Sequence, residues 1–145
     1  MVKILVKKLD KNIKLPTYKT SGSSGMDLEA YIKRKIIIKS GKTAIIPTGI
    51  AVAIPKNYEI QIRPRSGLAA KKGISVLNTP GTVDSDYRGE IKIILINLSK
   101  KSFVVKSGDR VAQMILCPVA KCKLKEVKNL PISVRGKGGF GSTDR

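Results

Sequence analysis

The sequence predicts an all-β domain, a sandwich or barrel built from many short strands. Strand-like runs recur at near-regular intervals, and clusters of Gly, Pro, Ser and Asn separate them, as is typical of such folds. The chain is 41% hydrophobic but only 4% aromatic and has no tryptophan, so its core must consist of Ile, Val and Leu, which favour strands. A length of 145 residues fits one domain with a sizeable core.

The expected strands follow from these runs and from the turn signals between them. In chain order they are Val2–Val6, Asp27–Ile32, Lys35–Ile38, Thr43–Ile46, Ile50–Ile54, Glu59–Ile62, Ile74–Leu77, Glu90–Asn97, Phe103–Val105, Arg110–Val119 and Lys121–Val127. In Ile50–Ile54 both alternating faces are apolar, so we expect this strand to be covered on both sides. A helix of about two turns is predicted only for Ser66–Lys72.

Composition changes near the C-terminus, which predicts the domain organisation. Pro131 and then a run of glycines replace the strand pattern. We therefore expect a β domain over residues 1–128 and a flexible glycine-rich arm over residues 129–145.

A net charge of +19, from 29 Lys+Arg against 10 Asp+Glu, predicts anionic partners, either phosphorylated small molecules or nucleic acid. Proteins that read nucleic acid usually interleave aromatic side chains with basic ones, whereas here two Phe and four Tyr are scattered, so no specific nucleic-acid partner is expected. The alternative is a lysine-rich, well-solvated surface.

Several classes of function and location are disfavoured by what the sequence lacks. The chain has no histidine, which excludes histidine acid–base catalysis, and Cys117 and Cys122 lack the spacing of a zinc site. The first ten residues are too charged for a signal peptide, and no apolar run reaches membrane-spanning length. We expect a soluble, cytoplasmic protein without a membrane partner.

The first candidate site is the acidic stretch from Gly81 to Glu90. It is predicted to be a β-hairpin that projects Asp84, Asp86 and Tyr87. Aspartates in hairpin turns often serve local hydrogen bonding alone. Two carboxylates and a tyrosine within four residues favour a site, and without histidine a carboxylate is the plausible general base.

A second group of residues could bind an anion. Ser66 and Gly67 open the predicted helix, whose backbone N–H groups suit an anion, and the guanidinium of the preceding Arg65 suits a phosphate. The alternative is a helix N-cap with solvated arginines. Asp27 begins a strand, where a cap or turn role is common. Gln113 is polar among apolar neighbours and needs a hydrogen-bond partner. The functional interpretation is a contact with a ligand, and the alternative is a hydrogen bond within the core.

The tail RGKGGFGSTDR matches the glycine spacing G-x-G-x-x-G of dinucleotide-binding loops. Those loops need a strand before and a helix after them, and here the chain ends four residues past Gly141. The tail therefore needs another explanation.

Five stretches of the sequence, taken together, give an explanation for the tail. SSGMDLEA, RPRSGLA, LNTPGTVDSDYRGEI, GDRVAQMIL and RGKGGFGST resemble the five motifs of the trimeric dUTP diphosphatases (dUTPases), in that family's order, from Ser23 to Thr143. The resemblance implies a jelly-roll subunit, a homotrimer with shared active sites, and Mg²⁺-dependent hydrolysis of dUTP to dUMP and pyrophosphate. Such a reaction limits uracil incorporation into DNA and supplies dUMP for thymidylate synthesis.

The resemblance also implies roles for residues of the third motif. Asp84 matches the catalytic carboxylate that activates water for attack on the α-phosphorus. Tyr87 matches the tyrosine that packs against the deoxyribose and leaves no room for a 2′-hydroxyl. Asn78 and the backbone near Gly81 and Val83 would bind the uracil.

The remaining motifs imply contacts to the phosphates. Arg65, Ser66 and Gly67 match phosphate-binding positions, and Gln113 matches a glutamine near the α- and β-phosphates. Asp27 matches an aspartate linked through water to the Mg²⁺, which would sit mainly on the triphosphate oxygens.

The tail resembles an arm that closes over the bound nucleotide. Arg135 would pair with the γ-phosphate, Phe140 would stack on the uracil, and Gly141, Ser142 and Thr143 would add backbone and hydroxyl contacts. Asp144 departs from the family pattern, where glycine often follows, and its charge would oppose the γ-phosphate.

Two alternatives remain. A dCTP deaminase shares the fold and parts of the second and third motifs but needs another acid–base residue over the base. A non-catalytic, basic β protein that binds nucleic acid would explain the charge but not the five motifs.

Overall fold

The computed structural model describes residues 1–139 and confirms the all-β fold. It has ten strands and one short helix among these residues. In chain order they are β1 (Leu5–Lys8), β2 (Met26–Glu29), β3 (Ile36–Ile38), β4 (Thr43–Ala53), β5 (Tyr58–Arg63), α1 (Ser66–Lys72), β6 (Ile74–Val76), β7 (Gly81–Val83), β8 (Glu90–Asn97), β9 (Phe103–Val105) and β10 (Arg110–Pro118). The helix has the predicted bounds.

The strands form two four-stranded antiparallel sheets and a two-stranded ribbon. The first sheet has the order β1-β4-β8-β6, the second β2-β10-β5-β7, and β3 pairs with β9. One apolar cluster joins the sheets, with Ile46 and Leu95 from the first and Leu28 and Ile60 from the second, all nearly inaccessible to solvent. The core is aliphatic, as the composition predicts.

Strand β4 is continuous where the sequence predicts two strands separated at Pro47. Its pairing with β8 shifts register between Pro47 and Ala51. Because proline cannot donate to the ladder, it is tolerated at such an irregularity. The Thr48 hydroxyl donates to the carbonyl of Ile91 over 2.6 Å, which ties the irregular segment to β8.

The β-hairpin predicted for the stretch from Gly81 to Glu90 is wrong. Strand β7 pairs with β5 in the second sheet, whereas β8 pairs with β4 and β6 in the first. The segment between Val83 and Glu90 is therefore a crossover between sheets. Sequence proximity favours a hairpin, but here pairing with more distant strands prevails.

The strand predicted for Lys121–Val127 is also absent. The last backbone contact with the body of the domain runs from the Val119 N–H to the carbonyl of Asn57, over 2.8 Å. Residues 120–138 are exposed, and their hydrogen bonds found within residues 1–139 are local to the segment. A segment with a strand-like sequence cannot form a strand without a neighbouring strand to pair with.

Asn97, at the end of β8, is a fully buried polar residue. Its amide nitrogen donates to the carbonyls of Ile38 and Lys101, both over 2.8 Å. Its amide oxygen accepts from the backbone N–H of Ser99 over 3.0 Å and from the Ser99 hydroxyl over 2.8 Å. Asn97 thus links the end of β3 with the loop between β8 and β9.

No helix within residues 1–139 is long and apolar enough to cross a membrane.

Replacing Asn97 tests this linkage. We expect Asn97→Ala to lower the free energy of unfolding by about 2–3 kcal/mol, because it leaves buried backbone groups without partners. Urea unfolding at fixed protein concentration measures the change. The control Ser102→Ala, at an exposed position of the same loop, should change the free energy of unfolding by less than about 0.5 kcal/mol. Equal effects in both variants would contradict the role of Asn97.

Candidate active site

Asp27 lies between two arginines, at the centre of what we call the arginine cluster: Asp27, Arg65 and Arg110. Arg65 Nε donates to Asp27 Oδ1 over 2.8 Å, and Arg110 NH1 donates to Asp27 Oδ2 over 3.0 Å. Arg65 NH1 also donates to the backbone carbonyl of Arg110 over 3.0 Å. The side chain of Asp27 is only 18% exposed, so the cluster is partly shielded from solvent.

The strand register explains this grouping. Asp27 on β2 is opposite Gln113 on β10, and Gln113 is opposite Arg63 at the end of β5. Arg65 follows β5 by two residues as the residue that precedes α1. The cluster therefore stands at one end of the second sheet, where a guanidinium with free N–H groups can bind phosphate.

Gln113 has the partner that its polarity demands. Its amide nitrogen donates to the carbonyl of Pro64 over 2.9 Å. A Cβ atom at Gly25 would lie 2.6 Å from the Gln113 amide oxygen, so glycine at this position gives the side chain its space. Gln113 thereby holds the chain just before Arg65 and α1.

The first turn of α1 is open to solvent. Ser66 and Gly67 are exposed, and a Cβ atom at Gly67 would meet nothing within 4 Å. The side chain of Arg65, which precedes the helix, makes no capping hydrogen bond. The N–H groups of Leu68 and Ala69 donate to the Arg65 carbonyl, both over 3.0 Å, which leaves those of Ser66 and Gly67 for an anion beside the arginine cluster.

A separate cavity of about 190 Å³ lies along β7 and β8, and we call it the base cavity. Its lining includes Asn78, Gly81, Val83, Asp84 and Tyr87. A Cβ atom at Gly81 would lie 3.2 Å from the amide nitrogen of Asn78, so glycine lets this amide approach the backbone of β7. The side chain of Val83 is part of the core, which leaves only its backbone for a ligand.

Asp84 and Tyr87 stand on the crossover at the rim of the base cavity. Asp84 is exposed, and its carbonyl accepts from the N–H of Tyr87 over 3.2 Å, which closes a turn. The Tyr87 hydroxyl donates to the carbonyl of Glu90 over 3.0 Å, while 46% of the residue is exposed. Arg88 stabilises the same turn by donating to the carbonyls of Ser85 and Tyr87, over 2.7 and 2.8 Å.

Three residues of this region escaped the sequence analysis. Arg110 completes the arginine cluster. A Cβ atom at Gly89 would collide with the Tyr87 ring, so only glycine permits the observed position of that ring. Glu90 Oε1 accepts from the N–H of Gly49 over 2.8 Å and so fixes the end of the crossover against β4. The arginine in GDRVAQMIL could have been noticed as a charge at a strand start. The contact of Glu90 with Gly49 depends on long-range pairing, and that of Gly89 with Tyr87 depends on where the crossover places the ring.

One chain does not bring the arginine cluster and Asp84 together. Val83 pairs with Ile60, so Asp84 lies near Glu59, at the start of β5. Arg65 is six residues further along the chain, which corresponds to roughly 20 Å at the rise of an extended strand. The three linked phosphates of a nucleotide are shorter than that distance.

The predicted arm is described only in part. Arg135 is exposed, and its Nε donates to the carbonyl of Gly138 over 3.0 Å. The predicted ligands Phe140, Gly141, Ser142 and Thr143, and also Asp144, lie outside the described residues.

The described residues fit a metal ion that is bound mainly by a ligand and not by a set of protein side chains. Within residues 1–139 no three His, Cys, Asp or Glu side chains form a group that could hold a metal ion, and both carboxylate oxygens of Asp27 already accept from arginines. Mg²⁺ commonly keeps several waters and binds to substrate phosphates with few protein ligands. The site therefore fits Mg²⁺ bound mainly by a substrate.

Fold and site together define a class: a jelly-roll-like β protein with a small cavity on one sheet crossover and an arginine cluster that can bind an anion. Comparison with known proteins gives the family. The model of the dUTPase family matches residues 11–144, and the chain belongs to this family. Its relatives include deoxyuridine 5′-triphosphate nucleotidohydrolases of Rickettsia bellii, 55% identical over 99% of this chain and 96% of the relative, and of Hydrogenobaculum, 53% identical over 98% of each.

Solved structures agree with this assignment. A dUTPase mutant from phage 80alpha superposes with a TM-score of 0.86 at 24% identity and covers 97% of this chain and 98% of its own, which supports the fold. The Staphylococcus bacteriophage 80alpha dUTPase with bound dUpNHpp gives a TM-score of 0.82 at 26% identity over 97% of each chain.

Proposed function

We propose that this chain hydrolyses dUTP to dUMP and pyrophosphate, with Asp84 as the group that activates water. The observation that carries the proposal is an exposed carboxylate beside Tyr87 at the rim of a base-sized cavity. Family membership and relatives named for this activity support it.

Asp84 would act as the general base. Its carboxylate accepts a proton from a water molecule, whose oxygen forms a bond to the α-phosphorus. The bond between the α-phosphorus and the bridging oxygen breaks, and pyrophosphate leaves. Because the chain has no histidine, a carboxylate is the plausible base near pH 7.

Recognition of the nucleoside falls to the base cavity. Asn78 and the backbone of Gly81 and Val83 offer hydrogen bonds to uracil, and a volume of about 190 Å³ suits one base. The Tyr87 ring packs against the deoxyribose, where a 2′-hydroxyl would collide with it.

The phosphates would bind at the arginine cluster. Arg65, Ser66 and the N–H groups near Gly67 donate to phosphate oxygens, and Gln113 contributes near the α- and β-phosphates or through its hold on Pro64. Asp27 holds Arg65 and Arg110 in place before substrate arrives, so little reorganisation is required on binding.

Mg²⁺ would accompany the triphosphate. When bound, it neutralises charge on the phosphate oxygens. Asp27 would reach it only through water, since arginines occupy both carboxylate oxygens. The coordination of a structural Mg(II) ion in a mutant of the dUTPase from phage phi11 is consistent with a divalent ion in this family.

The complete site would need further copies of the chain, and we propose the homotrimer that the family resemblance implies. The separation of Arg65 from the end of β5 near Asp84, roughly 20 Å between backbone positions of an extended chain, supports a site assembled from two chains. The exposed C-terminal segment supports it as well, because it presents Leu124, Leu130, Ile132 and Val134 to solvent, each at least 82% exposed. Such a segment is expected to pack on a neighbouring subunit.

The arm of residues 129–145 would then close over a nucleotide and exclude bulk water, with Arg135 on the γ-phosphate and Phe140 on the uracil. The reaction would limit uracil incorporation into DNA and supply dUMP for thymidylate synthesis. We place it in the cytoplasm, a setting that the unpaired cysteines Cys117 and Cys122 suit.

Substitution of Asp84 tests the mechanism. We expect Asp84→Asn to lower kcat for pyrophosphate release from dUTP by at least about 10²-fold, because it removes the base and keeps the shape. Binding of dUpNHpp should persist. The matched control is Asp86→Asn, two residues away, which should retain activity. Full turnover by Asp84→Asn would contradict the assignment, and ammonia released from dCTP would indicate a deaminase instead.

Substitution of Gly89 tests the sugar pocket. We expect Gly89→Ala to displace the Tyr87 ring and so to reduce the ratio of kcat/KM for dUTP to that for UTP by about tenfold. The control Gly22→Ala, where an added Cβ meets nothing within 4 Å, should leave the ratio unchanged. An unchanged ratio in Gly89→Ala would show that the ring position does not set sugar selectivity.

A further inference from the structure

We propose that one end of the domain binds the phosphate backbone of double-stranded DNA without reading its sequence. We call this surface the lysine face. It consists of six exposed lysines from three segments: Lys39 and Lys42 around the β3–β4 turn, Lys71 and Lys72 at the end of α1, and Lys100 and Lys101 in the β8–β9 loop.

Backbone contacts bring the three segments together around Asn97. The N–H of Gly41 donates to the Asn97 carbonyl over 2.7 Å, which ties in the β3–β4 turn. The N–H of Leu98 donates to the Gly73 carbonyl over 2.8 Å, which ties in the end of α1. With the bond from the Asn97 amide to Lys101, these contacts give the lysines a fixed frame.

The charge of the lysine face is not compensated by its own segments. Residues 30–58, 60–83 and 91–108 contain no Asp or Glu. The ion pairs found within residues 1–139 all involve other side chains. The dipole of α1 accounts for Lys71 and Lys72 at its C-terminus but not for the other four lysines. Like charges held on one frame repel one another, so a polyanion that neutralises them would be favoured.

The shape and chemistry of the face suit a phosphodiester backbone. A groove of about 680 Å³ runs between the end of α1 and the β8–β9 loop, with Lys71, Lys72, Lys100 and Lys101 in its lining. Lysine ammonium groups donate and do not accept, which matches phosphate oxygens and carries no base specificity. The aromatic residue of the groove, Phe103, is partly buried against the core and is not presented for stacking on unpaired bases, which favours duplex over single strands.

The lysine face is distinct from the proposed active site. Its groove shares no lining residue with the base cavity. The seven residues of α1 separate Lys72 from Arg65 by about 10 Å. DNA binding and nucleotide hydrolysis therefore use different residues, and the two proposals can fail independently.

The test uses the full chain and a fluorescently labelled 30-base-pair duplex of arbitrary sequence. Fluorescence anisotropy gives Kd between 50 and 200 mM salt for the wild type and for the variant Lys71→Gln/Lys72→Gln/Lys100→Gln/Lys101→Gln. We expect the variant to bind about tenfold more weakly or worse, with a salt slope shallower by about 3 to 4, since each lost phosphate contact removes about 0.9. The matched control, Lys3→Gln/Lys7→Gln/Lys33→Gln/Lys35→Gln, changes the net charge equally and should stay within about threefold of the wild type.

Several results would overturn the proposal. Equal weakening of duplex binding in both variants would indicate that diffuse charge binds the DNA. The absence of duplex binding by the wild type at 50 mM salt, or tighter binding of the single strand than of the duplex, would each contradict the proposal as well. Loss of binding to phosphatidylserine vesicles without loss of duplex binding would assign the face to membranes instead. Circular dichroism verifies folding, and Lys100→Gln/Lys101→Gln replaces the fourfold variant if that variant does not fold.

Discussion

The strand order of the second sheet is the constraint on which the rest of the account depends. Because β7 pairs with β5 and not with β8, Asp84 lies at the start of β5 while the arginine cluster lies beyond its end. The two parts of the proposed site thus lie at opposite ends of β5 in a single chain. The exposed C-terminal segment, with its apolar side chains in solvent, also supports the proposed assembly of more than one copy.

The contacts within each half of the proposed site are present without a ligand. Asp27 aligns two guanidinium groups, and Gln113 holds the backbone that leads into α1. At the other half, Glu90 anchors the crossover to β4, and Gly89 leaves room for the Tyr87 ring. Preorganised donors stabilise developing charge without a cost of rearrangement, so these positioning contacts would contribute to the proposed reaction.

Local signals in the sequence predicted much of the fold. The helix Ser66–Lys72 and the strands Glu90–Asn97 and Phe103–Val105 have the predicted bounds, because glycine, proline and apolar alternation specify them within a few residues. The predictions of a hairpin at Asp84 and of a strand at Lys121–Val127 were wrong because both structures depend on which distant strand is available for pairing. For the same reason Arg110 and Glu90 escaped notice: their partners, Asp27 and Gly49, are distant in the sequence, which a linear pattern does not reveal. Gly89 lies only two residues from Tyr87, but its role depends on where the crossover places the ring.

The central claim, that one site draws Asp84 and Arg65 from different chains, is tested by mixing two inactive variants. Asp84→Asn and Arg65→Ala chains would be unfolded together, refolded, and assayed for pyrophosphate release from dUTP. A shared site predicts recovery of about one quarter of wild-type activity at equal amounts, because each of the two contributing chains carries the intact residue with a probability of about one half. Activity no greater than the average of the separately refolded variants would show that each chain builds its own site, and would contradict the account.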